Sequence, residues 1–212
     1  MDASHFTRDN LGGVVPALVL PDEPLPVRFM NTIWADTSGV HDVLESPAAL
    51  DFWLAAVVGD DLGAADPPEF ADALLLRDAL RRVAALVTED SRAAAQAPVD
   101  LEAAVAAVNA AAAVAPQLHL VLRDGHLAAE EVASGSVIRT ALASIAREAV
   151  ELVTGPAAGR LRACYAPGCV LYFVKAHPRR EWCSDGCGNR VRAARHYQRT
   201  KASGRDQSGT IA

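Results

Sequence analysis

The sequence predicts an α+β chain: a mostly helical N-terminal domain with a small β-hairpin, followed by a treble-clef-like four-cysteine finger at the C-terminus. Three observations predict it. Half of the 212 residues are apolar yet only 5% are aromatic, so alanine, valine and leucine carry the hydrophobic character, as helix-rich packing expects. All four cysteines fall between Cys164 and Cys187. Charge is split along the chain: residues 1–159 hold 9 basic and 23 acidic side chains, net −14, whereas residues 160–212 hold 11 and 3, net +8. These features divide the chain into a helical domain over residues 1–155, a finger over 160–202 and a small, polar tail over 203–212 that reads as disordered. "GPAAG", residues 155–159, is the candidate linker.

The segment "LPVRFMNTIWADT" (Leu25 to Thr37) fits either a strand or the first turn of a helix. "SPAALDFWLAAVVG" is a helix by its punctuation, with Ser46 as N-cap, Pro47 in the first turn and Gly59 as the stop; Leu50, Trp53, Leu54 and Val57 share one face. In the next helix Asp66 caps, two prolines follow, and Phe70, Leu74, Leu76, Leu80, Val83 and Val87 recur near helical period. An alanine-rich helix follows Asp100 and ends by Pro116. Period two then replaces it: Leu118, Leu120 and Leu122 alternate with His119, Val121 and Arg123, and Asp124-Gly125 supplies a tight turn, predicting a β-hairpin. From Ser136 a helix returns, with Ile138, Leu142, Ile145, Val150 and Val153 as its apolar set, and Gly155-Pro156 ends it.

In the finger, Cys164-x4-Cys169 and Cys183-x3-Cys187 are separated by thirteen residues. Two close thiolate pairs joined by a loop are what a tetrahedral ion needs, and Zn²⁺ is the expected metal. Four thiolates leave no position for a catalytic water, so the site reads as structural. His177 lies between the pairs next to Pro178 and reads as an exposed loop residue. "VLYFVK" is strand-like, with "EWC" available to pair back on it, and Ser184 caps a helix whose first turn holds Cys187; a zinc ribbon is the alternative topology. On that helix Arg192, Arg195 and Arg199 form one stripe suited to phosphates or guanine edges, with Arg190 and Lys201 nearby. Ala193, Ala194 and Tyr197 form the side expected to cover the zinc core.

Trp182-Cys183-Ser184 followed by Cys187-Gly188-Asn189-Arg190 resembles the signature of the CGNR zinc-finger family, with all four cysteines in matching order. "ALASIAREAVELVTG" resembles the helix that precedes this finger, and "FMNT" (Phe29 to Thr32) and "AVNAAAA" are similar to segments of the ABATE domain found on its N-terminal side. The resemblance implies a bacterial transcription regulator with a regulatory or ligand-sensing N-terminal domain and a DNA-binding finger.

The expected function is thus a zinc-dependent, DNA-binding regulator of transcription, with DNA as partner through Arg190, Arg192, Arg195, Arg199 and Lys201. A protein-interaction module with a structural zinc finger is the alternative. Asn31, Thr32 and Trp34 are candidates for lining an effector pocket, and a homodimer would present two finger helices. No Gly-rich phosphate loop, nucleophile elbow or metal-ligand histidine spacing appears, so no enzyme is expected. No secretory signal or apolar run of membrane-spanning length is seen, and the expected location is the cytoplasm.

Overall fold

The computed structural model describes residues 20–59, 62–92, 99–114, 117–132 and 135–207. In order these form α1 (Leu25–Met30), β1 (Ile33–Ala35), β2 (Val40–Asp42), α2 (Pro47–Val58), α3 (Pro67–Val87), α4 (Leu101–Ala112), β3 (Gln117–Arg123), β4 (His126–Val132), α5 (Val137–Thr154), β5 (Leu161–Ala163), β6 (Tyr172–Val174) and α6 (Asp185–Gln207). Each pair of successive strands forms its own antiparallel two-stranded sheet. Helices α3, α4 and α5 pack on one another, α1 lies against α3 and α5, and α2 lies against α3.

The helix starts follow from side-chain chemistry. Ser46, Asp66, Asp100 and Ser136 each accept a hydrogen bond from an otherwise orphaned amide of the turn they begin. Asp66 and Glu69 do so reciprocally as a capping box, at 2.7 and 2.9 Å. Gly59 closes α2 at φ +86°, a conformation that strains any residue with a Cβ. The ambiguous Leu25–Thr37 segment contains both alternatives in succession, a six-residue helix and then a three-residue strand. Helix α4 ends at Ala112, before Pro116, as the sequence predicts.

The buried face of α5 is Ile138, Leu142, Ile145, Ala149 and Leu152, an alternating four-and-three spacing that keeps one stripe inward. Val150, expected in that set, falls off the stripe and is exposed. On α3 the inward stripe is Ala73, Leu76, Leu80 and Ala84, and it also carries Arg77 and Arg81, 4% and 2% exposed. Phe70, Leu74, Val83 and Val87 flank it, half-buried. Small residues at its centre let the helices approach closely, while Phe29 and Trp53 fill the space under α2 with ring centroids 5.2 Å apart.

The finger is built onto this body, with no free linker between them. Gly155 to Arg160 turns directly into β5, and Leu161, Ala163 and Tyr172 belong to the same buried cluster as Phe29, Trp53 and Leu80. Strand β6 pairs with β5, in the register Leu161↔Val174, Arg162↔Phe173 and Ala163↔Tyr172. The expected pairing with "EWC" is therefore corrected: β5 offers two apolar side chains to the body's core, which the Glu181–Cys183 segment does not. Helix α6 continues through Gln207, so residues 203–207 extend the helix where a tail was expected. Residues 208–212 lie outside the described residues.

Asn31 joins the two parts. Its side-chain amide donates to Tyr172 O at 2.9 Å and accepts from Tyr172 N at 2.9 Å, completing both backbone bonds on the open edge of β6. Both partners are buried, so Asn31→Ala leaves a buried donor and a buried acceptor unpaired. It is expected to lower unfolding free energy by about 2–4 kcal/mol, read by urea denaturation. A loss within experimental error would contradict this role.

Candidate metal centre

The first cysteine pair sits in the loop that closes the β5–β6 hairpin. Cys164 N donates to Leu171 O at 3.0 Å, extending the ladder past Ala163, and Cys169 N donates to Ala166 O at 2.9 Å. Gly168, at φ +73°, supplies the left-handed turn that brings Cys169 back toward Cys164. The second pair straddles the start of α6, where Ser184 Oγ accepts from Cys187 N at 3.3 Å as the predicted cap.

All four Sγ atoms lie within 4.8 Å of one another, with Cys169–Cys183 at 3.8 Å and Cys183–Cys187 at 3.3 Å. Tetrahedral zinc–thiolate bonds of about 2.3 Å put sulfurs about 3.8 Å apart, so the cluster has the size such an ion requires. The cysteines are at most 5% exposed and share a small apolar cluster with Ala166, Leu171, Phe173 and Val191, flanked by Leu20, Trp34 and Trp182. Packed this closely, the sulfurs set one another's protonation. Hydrogen bonds from Cys169 and Cys183 draw Cys164 down to about 7, and donation from its three neighbours and Arg190 takes Cys187 below the ordinary thiol range. Cys169 and Cys183 are pushed up as the donors in those bonds. A divalent cation among them removes that conflict by favouring the thiolate at every position. The four cysteines hold a structural zinc ion, and His177, exposed and accepting from Arg179 N, is no part of the site.

Three arginines fasten this centre to the body through main-chain carbonyls. Arg92 donates to Cys164 O at 2.7 Å and Cys169 O at 2.9 Å, and its other nitrogens bind both oxygens of Asp90, with Nη2 to Oδ2 at 2.7 Å. Tyr172 Oη donates to the same Asp90 oxygen at 2.8 Å, and the Arg92 guanidinium lies over the Tyr165 and Tyr172 rings. Burial opposes ionisation of Asp90, but hydrogen bonds from Arg92 and Tyr172 outweigh it and hold the carboxyl below its ordinary value. Arg81 reaches from α3 to Met30 O and Val170 O. Arg180 donates to Val174 O and Cys183 O, lies over the Phe173 ring, and pairs with buried Glu23 at 2.7 Å; Glu23 in turn accepts from Val174 N. None of Glu23, Arg81, Asp90, Arg92, Tyr172 and Arg180 was legible as functional beforehand, although Arg77 and Arg81 on an apolar helix face were a signal that something polar lay opposite.

The residues after the last ligand have separate tasks. A Cβ on Gly188 would lie 3.2 Å from Trp182 Cδ1 and 3.4 Å from Arg192 Nη1, so glycine lets the Trp182 ring pack closely on the helix start. Asn189 accepts from Arg192 Nη2. Arg190, expected as a nucleic-acid contact, donates to Cys187 Sγ at 2.8 Å, so its guanidinium neutralises ligand charge at the metal. Arg192, Arg195, Arg199 and Lys201 are exposed; Lys201, nine residues after Arg192, comes round to the opposite side of the helix from the stripe. The apolar side of α6 does not cover the zinc core. Val191 is buried there, but Ala193 is exposed and Tyr197 is 66% exposed, because the helix leaves the finger after its second turn.

The pocket expected at Asn31, Thr32 and Trp34 is likewise corrected. Asn31 is taken up by Tyr172, Thr32 Oγ1 donates to Phe29 O with no exposed surface, and Trp34 stacks on His41 at 4.5 Å. Three clefts of about 660, 230 and 30 Å³ are lined by other residues. At the β1–β2 turn, Ser38, His41 and Asp36 come together but form no nucleophilic triad: Ser38 Oγ and Asp36 Oδ1 both lie on the same imidazole nitrogen, at 3.0 and 2.9 Å, whereas a triad uses both. Among the described residues, no helix is long and apolar enough to cross a membrane.

Two measurements check this arrangement. Elemental analysis should find one zinc per chain, and a value far below one contradicts the site. Arg92→Ala strands the fully buried Asp90 carboxylate and is expected to cost about 3–5 kcal/mol in denaturant unfolding, with Arg92→Ala/Asp90→Ala recovering part of that loss. A double variant less stable than the single one would contradict the clamp.

No curated protein matches the chain. Residues 23–156 match the model of the ABATE family, described as a putative stress-induced transcription regulator, and residues 160–200 match that of the CGNR zinc finger. The first match spans the helical body with its Glu23, Asn31, Arg81 and Asp90, and the second spans all four sulfurs and the glycine, asparagine and arginine that follow them, so the chain belongs to the ABATE family and ends in a CGNR zinc finger.

Proposed function

We propose that the protein is a zinc-dependent regulator that binds DNA through α6. One observation carries the reading: from Arg195 to Lys201 every side chain of this helix is exposed, and Arg192, Arg195 and Arg199 run along one side of it. A polar helix whose side chains stand in water gains little from burial in its own fold, and an external partner would account for its order. From Val191 to Gln207 it extends about 25 Å, and its width of about 10–12 Å matches the major groove. Arginine along one side suits phosphates and guanine edges, while the acidic body stands away from a polyanion. Exposure of the stripe also speaks against its docking on the acidic body of its own chain. No catalytic step enters this reading.

The metal's task is directional. Zinc ties Cys183, just before α6, to Cys187 in its first turn, and the arginine clamps fix the zinc on the body, so the helix leaves the molecule at one angle. Phosphate contacts supply most of the affinity and make it steeply salt-dependent.

Fluorescence anisotropy with a pool of genomic duplexes tests the proposal. Binding at low salt is expected, with a log K against log salt slope that falls by about 3 when Arg192, Arg195 and Arg199 all become Ala, near one unit per lost phosphate contact. Absence of binding at low salt, or an unchanged slope in the triple variant, contradicts the proposal and favours a protein partner for the finger.

A further inference from the structure

The β3–β4 hairpin forms as the sequence predicts, with Arg123 opposite His126 and a two-residue Asp124-Gly125 turn whose φ values of 51° and 78° are both left-handed. Its surroundings are the unexpected part. Alternation puts Leu118, Leu120 and Leu122 on one face with Leu127, Ala129 and, at its far end, Glu131, since Leu122 pairs with Leu127, Leu120 with Ala129 and Leu118 with Glu131. The leucines are 72, 74, 70 and 71% exposed. The opposite face carries Gln117, His119, Arg123, His126 and Glu130 around Val121, Ala128 and Val132, with Arg123 and Glu130 joined at 2.9 Å. The hairpin is therefore amphipathic, and its polar face is dressed for water while its apolar face is bare.

An antiparallel sheet with one polar and one apolar face is the pattern of a sheet packed on one side, and a lone two-stranded hairpin is marginal in water without such packing. Scattered exposed leucines need no explanation, but four in register on one short hairpin form a contiguous patch. The occupant can be narrowed by charge and area. Between Leu120 and Leu122 and their partners Leu127 and Ala129 this face carries no charge, and Glu131, opposite Leu118, marks its end, so its centre offers nothing to a basic, acidic or phosphorylated partner. It presents on the order of 400–500 Å² of apolar surface, at the upper end of what a monomer leaves open. Two such faces in contact bury about 1,000 Å², which reaches the threshold of a specific interface. An uncharged row of leucines is also self-complementary under a two-fold axis, where leucine meets leucine with no polar group stranded.

We infer that the leucine face of the β3–β4 hairpin is the interface of a homodimer, each copy covering the hairpin of the other. The position of the hairpin suits this. Ser136, just after β4, donates to Glu69 at the start of α3, whereas the finger is clamped by Asp90 and Arg92 beyond the end of that helix. The 21 residues of α3 span about 30 Å, so a dimer joined at the hairpins leaves both fingers uncovered. The interface stands independently of what α6 binds.

Sedimentation velocity of the full, zinc-loaded chain across about 1–100 µM tests the inference. Wild type is expected to sediment at twice the 22.3 kDa chain mass in the upper part of this range. Leu120→Glu places like charges against each other across the two-fold axis and should weaken association by about 100-fold while zinc content and circular dichroism stay unchanged. Mixing it with a Leu120→Lys chain should restore the dimer as a mixed pair, which a merely misfolded variant would not do. A wild type that stays monomeric near 100 µM, or a Leu120→Glu chain that remains dimeric, overturns the inference. A monomer would leave the face to an unrelated protein.

Discussion

Four thiolates gathered in a space closed to water set the constraint on which this molecule depends. Negative charge of that density is tolerated only around a cation, and the cation in turn fixes the backbone on both sides of it. The carbonyls of Cys164, Cys169 and Cys183 point outward from the centre, and these are the acceptors that Arg92 and Arg180 find. Without the metal there is no fixed set of acceptors, and the arginines lose the geometry that justifies their burial.

Seen this way, the chain uses arginine as a joining residue. A guanidinium offers several donors in a rigid plane and can therefore satisfy carbonyls from two segments at once. Arg81 links the end of α1 to the knuckle, Arg92 links the end of α3 to both knuckle cysteines, and Arg180 links the second pair to β6 and Glu23. Each positive charge has an acid or an aromatic face beside it, so none is buried alone. The β5–β6 hairpin adds apolar surface to the same junction, with Tyr172 serving both purposes: its ring enters the core and its hydroxyl holds Asp90. The finger and the helical body consequently form one packed unit, and the direction of α6 is a property of the whole molecule.

Much of this was legible in the sequence where the signal is local. Caps at Ser46, Asp66, Asp100 and Ser136 and the Asp124-Gly125 turn depend on neighbours a few residues away, and the cysteine spacing carries its own geometry. What was not legible depends on residues far apart in the chain. Asn31 and Tyr172 are 141 positions apart, and an asparagine between Met30 and Thr32 looks the same whether it lines a pocket or completes a strand edge. Arg190 adjoins basic residues and so reads as one of them, although its contact with Cys187 Sγ removes it from the stripe. The exposure of Tyr197 and of the β3–β4 leucines was hidden for the same reason: periodicity tells which residues share a face, and not whether anything packs against it.

The central claim is that finger and body unfold as one structure held by the metal. In a chain with Trp34 and Trp182 replaced by Phe, Trp53, fully buried under α2, reports on the body, and release of zinc to a chromogenic chelator reports on the finger, so both can be followed in one urea titration. The account predicts coincident transitions, with the Trp53 transition moving to lower urea when zinc is stripped beforehand. Zinc release that precedes an unchanged Trp53 transition would contradict it, and would show the finger to be an independent appendage.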